Sequence, residues 1–288
     1  MYTQPRRTVG SKLGSNRPSI NFQDNQRKHN KAVISLSGGL DSTMLLMWLL
    51  GNGYKEIKAY SFDYGQKHDV ELKKVKNNIK FLKGKGFNIE HQIINVKDIF
   101  NESSSSLHKG GDAIPEGHYA DENMKSTVVE NRNVIFSAII YGKALAWANR
   151  TQDEVDITLG VHGGDHTIYP DCRPESIQMA AELYRISNWD SERVDYIAPF
   201  ANIDKGEVLR QGYFAMIADM KLSLDEAQEI LKNTHTCYNP DSKGKSCGKC
   251  GSCNERLEAF AYMNMVDPIE YQEIKEEIPE IVENVTNE

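Results

Sequence analysis

Residues 32–42 read Ala32-Val33-Ile34-Ser35-Leu36-Ser37-Gly38-Gly39-Leu40-Asp41-Ser42. An apolar run gives way to paired glycines and then to hydroxyl residues that open a second apolar stretch, Met44 to Leu50. That order specifies a strand, a sharp turn and a helix start. Gly38 and Gly39 lack Cβ atoms, so the backbone can fold tightly and bring its N–H groups close to an anion. Ser37 and Ser42 add hydroxyl donors, and a helix over Thr43–Leu50 points its positive end at the same place. The stretch reads as a phosphate cradle. Asp41 would repel a bare phosphate and is expected to brace the turn or help hold a metal ion. A Walker loop is not the source of phosphate binding: Gly244-Lys245-Ser246 has the ending of one, but Asn239 stands where its first glycine is required.

Outward from this turn the chain alternates. Ile57–Phe62 reads as a second strand, Leu72, Val75, Ile79 and Leu82 recur at helical spacing between lysines, and Ile89–Val96 is a third strand. Val134–Asn149 is patterned as a helix, Asp156–Val161 is a fourth strand running through Gly160, and Pro174–Ser187 and Asp204–Asp219 are further helices. Strands alternating with helices specify an α/β fold, a doubly wound parallel sheet of the Rossmann-like kind. Ligands of such sheets lie beyond the carboxyl ends of the strands, which singles out residues 37–42, 63–71, 97–133 and 162–173. The polar stretch from Ser103 to about Ser126 is longer than a plain connection and reads as a mobile lid. The first helix is apolar all round and should be buried on every side.

The 288 residues, 39% hydrophobic and 26% charged, can bury one large core, or one core with a small appended module. No apolar run reaches the roughly 18 residues of a membrane span, and the N-terminus has no apolar signal core, so a cytoplasmic protein without a membrane partner is expected. The net charge of −7 is unevenly spread. Residues 1–31 hold seven Lys/Arg and one Asp, whereas residues 267–288 hold eight acidic side chains and one Lys. An acidic body argues against a broad nucleic-acid surface, and no DNA partner is expected. The basic arm, rich in Asn, Ser, Arg and Gly, reads as disordered or flexible. The expected organisation is an arm over 1–31, an α/β domain over 32–225, a helical zinc-binding module over 226–266 and an acidic tail over 267–288.

Four of the five cysteines, Cys237, Cys247, Cys250 and Cys253, are separated by nine, two and two residues. Such clustering suits a metal in a reducing compartment better than disulfides. Four thiolates match tetrahedral Zn²⁺, and with every ligand place filled the site should be structural. Cys172 stands apart and reads as a small buried residue, with a nucleophile as the second possibility. His162 and His166 lie four apart, but no third metal ligand is evident.

The run Ser37-Gly38-Gly39-Leu40-Asp41-Ser42 resembles the signature loop of the N-type ATP pyrophosphatases, which split ATP to AMP and pyrophosphate and share the adenine nucleotide alpha hydrolase-like fold. Paired with the four cysteines at the other end of the chain, it resembles the 7-cyano-7-deazaguanine synthase family. Phe62-Asp63-Tyr64-Gly65-Gln66-Lys67-His68 with Glu71-Leu72, Tyr169-Pro170-Asp171-Cys172-Arg173, Asp204-Lys205 with Glu207, and Cys237-Tyr238-Asn239 with Cys247-Gly248-Lys249-Cys250 and Cys253 look like that family's motifs.

The resemblance implies that the carboxylate of 7-carboxy-7-deazaguanine attacks the α-phosphate of ATP and pyrophosphate leaves. Ammonia then displaces AMP to give an amide, and a second activation with loss of the oxygen gives the nitrile. It also implies ATP, Mg²⁺ and Zn²⁺ as cofactors and a homodimer. Residue by residue, Ser35, Leu36, Ser37, Gly38, Gly39, Leu40, Asp41 and Ser42, with Phe62 and Gly160, would hold the nucleotide. Ser37, Asp41, Ser42 and Lys205 would serve the chemistry, Lys205 as a cation near the transferring phosphorus. Tyr64, Gln66, His68, Arg132, Asn133, Asp165, Tyr169, Asp171 and Arg173 would meet the deazaguanine. Arg132 or Arg173 would form a forked pair with a carboxylate or phosphate, Asp165 or Asp171 would accept from the guanine-like N–H edge, and Tyr169 would stack.

Two loops depart from the family pattern. The usual Val-Pro-Gly-Arg-Asn is here Val129-Glu130-Asn131-Arg132-Asn133, and Gly163-Gly164-Asp165-His166-Thr167-Ile168 replaces an acidic Ser-Gly-containing run. They keep open a paralogue of the kind found in anti-phage operons, which hands the activated base to another amine such as a protein N-terminus. A tRNA-thiolating relative and a non-catalytic zinc module for nucleic acid also compete. The first wants a reactive cysteine outside the zinc set, and the acidic body opposes the second.

Overall fold

Five parallel strands form the centre of the molecule in a computed structural model that describes residues 29–67, 70–117 and 122–272. They are β1 (Lys31–Ser35), β2 (Glu56–Asp63), β3 (Ile89–Asn95), β4 (Val155–Leu159) and β5 (Val194–Tyr196), in the order β3-β2-β1-β4-β5. The doubly wound α/β sheet expected from the sequence is thus present. β5 was not legible: three residues with an aspartate in the middle carry no period.

Alternation along the strands divides the core into two layers. Ala32 and Ile34 face one layer with α1 (Leu40–Gly51), α2 (Val70–Gly84) and α5 (Lys205–Phe214), while Val33 faces the other with α3 (Arg132–Thr151) and α4 (Pro174–Ser187). α1 has no polar face; Leu40, Met44, Leu45, Leu46 and Met47 are all at most 1% exposed. Each such side chain contributes about 1.5–3 kcal/mol by leaving water. Gly212 lets α5 lie against α1, since a Cβ there would stand 2.6 Å from the Met44 side chain. The patterning read as one helix over Asp204–Asp219 is α5 followed by a π-helical turn at Ala215–Asp219.

α6 (Leu224–Lys232) starts at a Ser223–Glu226 capping box. It puts Ala227, Ile230 and Leu231 into the same layer as α1, and α7 (Gly251–Tyr262) adds Ala259 and Phe260. The segment expected to be a lid is tied into the α3 layer by Phe100, Leu107, Met124 and Val129, and Ser106 N–H donates to the Ser126 carbonyl at 2.7 Å. Asp267, where the acidic tail was expected to begin, is a structural acid. Arg256, fully buried, makes a forked pair with it at 2.6 and 2.9 Å, and Tyr271 donates to it at 2.6 Å. Residues 1–28 and 273–288, most of the basic arm and of the acidic tail, lie outside the described residues, as does His68. Among the described residues no helix is long and apolar enough to cross a membrane.

Candidate active site

The connections reverse direction between β1 and β4, and Ser35 is level with Leu159 across that pair. A cavity of about 200 Å³ opens there, at the carboxyl ends of the strands. This is the place where a doubly wound sheet takes its ligand.

Its floor is the turn after β1. Gly38 has φ +97°, and a Cβ on it would meet the Glu71 carbonyl oxygen at 2.6 Å, so only glycine suits both the twist and the space. Gly160, just past β4, faces the start of α1; a Cβ there would be 2.8 Å from the Ser42 nitrogen. The hydroxyls point inward: Ser37 N–H donates to Ser42 Oγ at 3.2 Å and Gly39 N–H to Ser37 Oγ at 3.1 Å. These N–H groups and the open end of α1 form an anion-binding concavity.

A charged corner adjoins the turn. Lys205, at the start of α5, is 4% exposed and lies 3.3 Å from Asp41 and 2.5 Å from Glu255. Burial alone would lower its pKa; the carboxylates of Asp41, Glu255 and Asp165 outweigh burial and hold it above the ordinary lysine value. Burial pushes the Asp165 carboxyl up, with His162 opposing. His162 is fully buried, and its Nδ1 accepts from Gly164 N–H at 3.1 Å. That bond assigns the proton of a neutral ring to Nε2, which faces oxygens of Asp165, Glu255 and Asp41 at 3.7, 3.7 and 3.9 Å. Asp41 Oδ1 is buried without a hydrogen-bond partner among the described residues. Three carboxylates against one ammonium leave the corner negative. An orphaned carboxylate oxygen within it fits a hard divalent cation of the kind that accompanies nucleotide phosphates.

The opposite wall is aromatic. The Arg132 guanidinium lies 5.7 Å from the Tyr64 ring centre and 5.8 Å from that of Tyr169. Phe62 stacks on Phe136 at 4.0 Å. Tyr169 OH is in hydrogen-bond contact with Thr127 and Tyr238. Asn133 belongs to this wall, and its backbone and side-chain N–H groups both donate to Asp171.

The cavity thus gathers most of the residues read from the sequence: Ser35, Ser37, Gly39, Asp41, Ser42 and Lys205 at the end with the glycine turn, and Phe62, Tyr64, Gln66, Arg132, Asn133, Gly160, Asp165 and Tyr169 around the rest. Gln66 lines it but is committed to its own turn, accepting from Tyr64 N–H at 3.0 Å. Other expected side chains do not reach the cavity. Leu36 and Leu40 belong to the core, Asp171 is spent on the start of α3, and Arg173 donates to the His166 carbonyl at 2.9 Å. Arg132 is not drawn off by Glu130, whose carboxylate takes the Ser103 and Ser104 hydroxyls instead. Cys172 is buried, and burial with nearby Asp165 and Asp171 pushes its thiol well up, which is wrong for a nucleophile. Sequence reasoning gave no role to Glu255 or Ser252, which reach the site from α7, and assigned none to Glu71 beyond its place in a motif. Their only signal was proximity to the cysteines and to the Phe62–His68 run.

Cys237, Cys247, Cys250 and Cys253 converge with their sulfurs within 4.8 Å of one another, all buried. Cys247 and Cys253 are 3.9 Å apart, near the edge of a ZnS₄ tetrahedron with Zn–S bonds of about 2.3 Å. The N–H groups of Asn239 and Cys247 donate to Cys237 Sγ, and that of Cys250 to Cys247 Sγ. Backbone donors aimed at sulfur stabilise thiolates, so the cluster can hold a metal ion such as zinc.

Sheet order, glycine turn and buried carboxylates at the switch point, with a four-cysteine clasp behind them, define a doubly wound α/β protein with an anion-binding turn and a cluster that can hold a metal ion. A family model described as "Queuosine biosynthesis protein QueC" matches residues 31–264, and the chain belongs to that family. It is 41% identical over 244 residues to the 7-cyano-7-deazaguanine synthase of Marinomonas sp. (strain MWYL1), covering 84% of this chain and 98% of the relative. It is also 37% identical over 242 residues to the synthase of Methanoregula boonei, covering 84% and 99%. Among solved structures, NMN synthetase from Francisella tularensis overlays with a TM-score of 0.36 at 13% identity, covering 83% of this chain and 79% of that one.

Proposed function

We propose that the chain is an ATP-dependent ligase that adenylates 7-carboxy-7-deazaguanine and, with ammonia, converts it to 7-cyano-7-deazaguanine. The observation that carries this reading is one cavity with an anion-binding turn at one end and a cation between aromatic rings at the other. Phosphate oxygens would take the N–H groups of Ser37 and Gly39 that the two hydroxyls now satisfy. Lys205 and His162 Nε2–H would face the developing pyrophosphate charge. Mg²⁺ would sit with Asp41, Asp165 and Glu255, where it supplies charge neutralisation. Arg132 would hold the substrate carboxylate between Tyr64 and Tyr169 so that its oxygen meets the α-phosphorus in line. Carboxylate oxygen bonds to phosphorus and pyrophosphate leaves; ammonia attacks the acyl carbon, loses a proton and expels AMP. A second ATP activates the amide oxygen, whose departure with AMP and loss of the nitrogen protons leaves the nitrile.

The geometry gives the paralogue reading less support than the sequence of the loop does. Asn131, where the family has glycine, keeps a left-handed φ of 55°, so the turn before Arg132 survives the change. Mass spectrometry of the products with and without ammonium tests the proposal. AMP, pyrophosphate and nitrile with ammonium, and acyl adenylate without it, are expected. ADP with orthophosphate would overturn it, and adenylate without nitrile in ammonium would transfer the case to the paralogue.

A further inference from the structure

The carboxylates around the cavity fall into two groups. Asp41, Asp165 and Glu255 crowd Lys205 and His162 at the phosphate end, and Asp171 is bonded twice to Asn133. Glu71, in the first turn of α2, lines the same cavity, and its carboxyl makes no hydrogen bond or ion pair among the described residues. Its electrostatic neighbours are Arg132 and Tyr64. Arg132 in turn has no carboxylate at ion-pair distance among the described residues and lies between two tyrosine rings. Among the described residues the aromatic end therefore offers a planar ligand one carboxyl without a hydrogen-bond partner and one cation with no carboxylate at ion-pair distance.

A carboxylate has two oxygens spaced to accept from two adjacent N–H groups. A 2-amino-4-oxo pyrimidine ring presents that pair, its ring N–H beside its exocyclic amine, on the edge away from a 7-carboxylate. We infer that Glu71 is the specificity-determining residue that reads this amide-and-amine edge, with Arg132 on the opposite acidic group. The inference rests on the reading under Proposed function and assigns to Glu71 the role expected of Asp165 or Asp171. Burial pushes the Glu71 carboxyl up to about 8, with Arg132 opposing. A free site at pH 7 thus carries a proton there, and N–H donors, which favour the ionised form, must expel it on binding.

The test is calorimetric titration of the full chain with 7-carboxy-7-deazaguanine and with its analogue lacking the 2-amino group, in two buffers of different ionisation enthalpy at pH 7. The wild type should prefer the amino compound by roughly 10–100-fold and release about one proton per site on binding it. Glu71→Gln should lose most of that preference and all of the proton release while binding ATP normally, which also shows that it folds. Glu71→Asp should keep part of both. Wild-type discrimination retained in Glu71→Gln would overturn the inference alone. So would unchanged discrimination with a loss only in turnover, which would move Glu71 to the chemical step. A wild type that binds ATP but neither base would overturn the functional reading, and this inference with it.

Discussion

The two ends of the cavity are built differently. The cradle of the phosphate end is backbone, a glycine turn, the start of α1 and the close pass of Gly160, all fixed by steric fit, and the charged corner of Lys205 and its carboxylates stands beside it. The base end is side chains from separate stretches, Tyr64 and Glu71 after β2, Arg132 from α3 and Tyr169 after β4. A backbone-built site is rigid and written in consecutive residues, whereas a side-chain site is assembled by the fold and can drift one residue at a time. The phosphate end should therefore tolerate almost nothing, and the base end should change its ligand before it loses stability.

The four-cysteine clasp offers the hardest test of that contrast, because α7 carries Ser252 and Glu255 from the cysteines into the phosphate end. Cys250→Ser, or a strong chelator, should remove on the order of 10 kcal/mol of metal-linked folding energy. The measurement is thermal melting with metal content. ATP turnover should vanish together with the α7 packing. A chain that loses its metal yet keeps its melting temperature and turnover would break the link between the two ends of the sequence.

Next in size is Lys205→Met. It removes a cation from three carboxylates and leaves Asp41 and Glu255 facing each other without a counter-ion. Breaking a buried pair costs about 3–5 kcal/mol, and under the proposed function losing a preorganised charge at the transferring phosphorus would cost about 10²–10³ in kcat. Pyrophosphate release under single-turnover conditions reads the second effect, separately from a urea titration that reads the first. A variant with normal turnover would mean that the phosphate end works through its backbone alone.

The same contrast explains what could be read in advance. The turn at 35–42, the apolar α1 and the cysteine spacing are local patterns, and each was legible because its physics is complete within a few residues. Glu255 was not, because its partner Lys205 stands 50 residues earlier and nothing in one dimension joins them. Asp171 and Arg173 do not line the cavity, for a related reason. Residue type qualifies them for the ligand, but the start of α3 and the His166 carbonyl are nearer competitors.

Glu71→Gln sharpens the picture at the base end through pH. The folded pKa is raised from the ordinary 4.5 to about 8, so the folded chain binds the extra proton between those values. The native contribution is intact below about pH 4.5 and is lost as pH rises through 8. Wild type and Glu71→Gln should therefore melt alike at pH 5. At pH 9 the variant should be more stable by about 1 kcal/mol or more, roughly 2–4 °C in a chain of this size. Equal melting temperatures across the range would mean that Glu71 is well solvated in the free protein.

The smallest expected effect is at Asn131, and it bears directly on the family pattern. Arg132 opens α3 immediately after a residue with φ 55°. Glycine enters that region without steric cost, asparagine enters it better than most, and a β-branched side chain enters it badly. Asn131→Gly should therefore leave stability within about 0.5 kcal/mol and leave kcat untouched. Asn131→Val should cost about 1–3 kcal/mol of strain and raise KM for the carboxylate substrate by tilting Arg132. If Asn131→Gly instead changed which amine is accepted, the loop would be selecting the acceptor by its side chain, and the paralogue reading would regain the ground that the turn geometry takes from it.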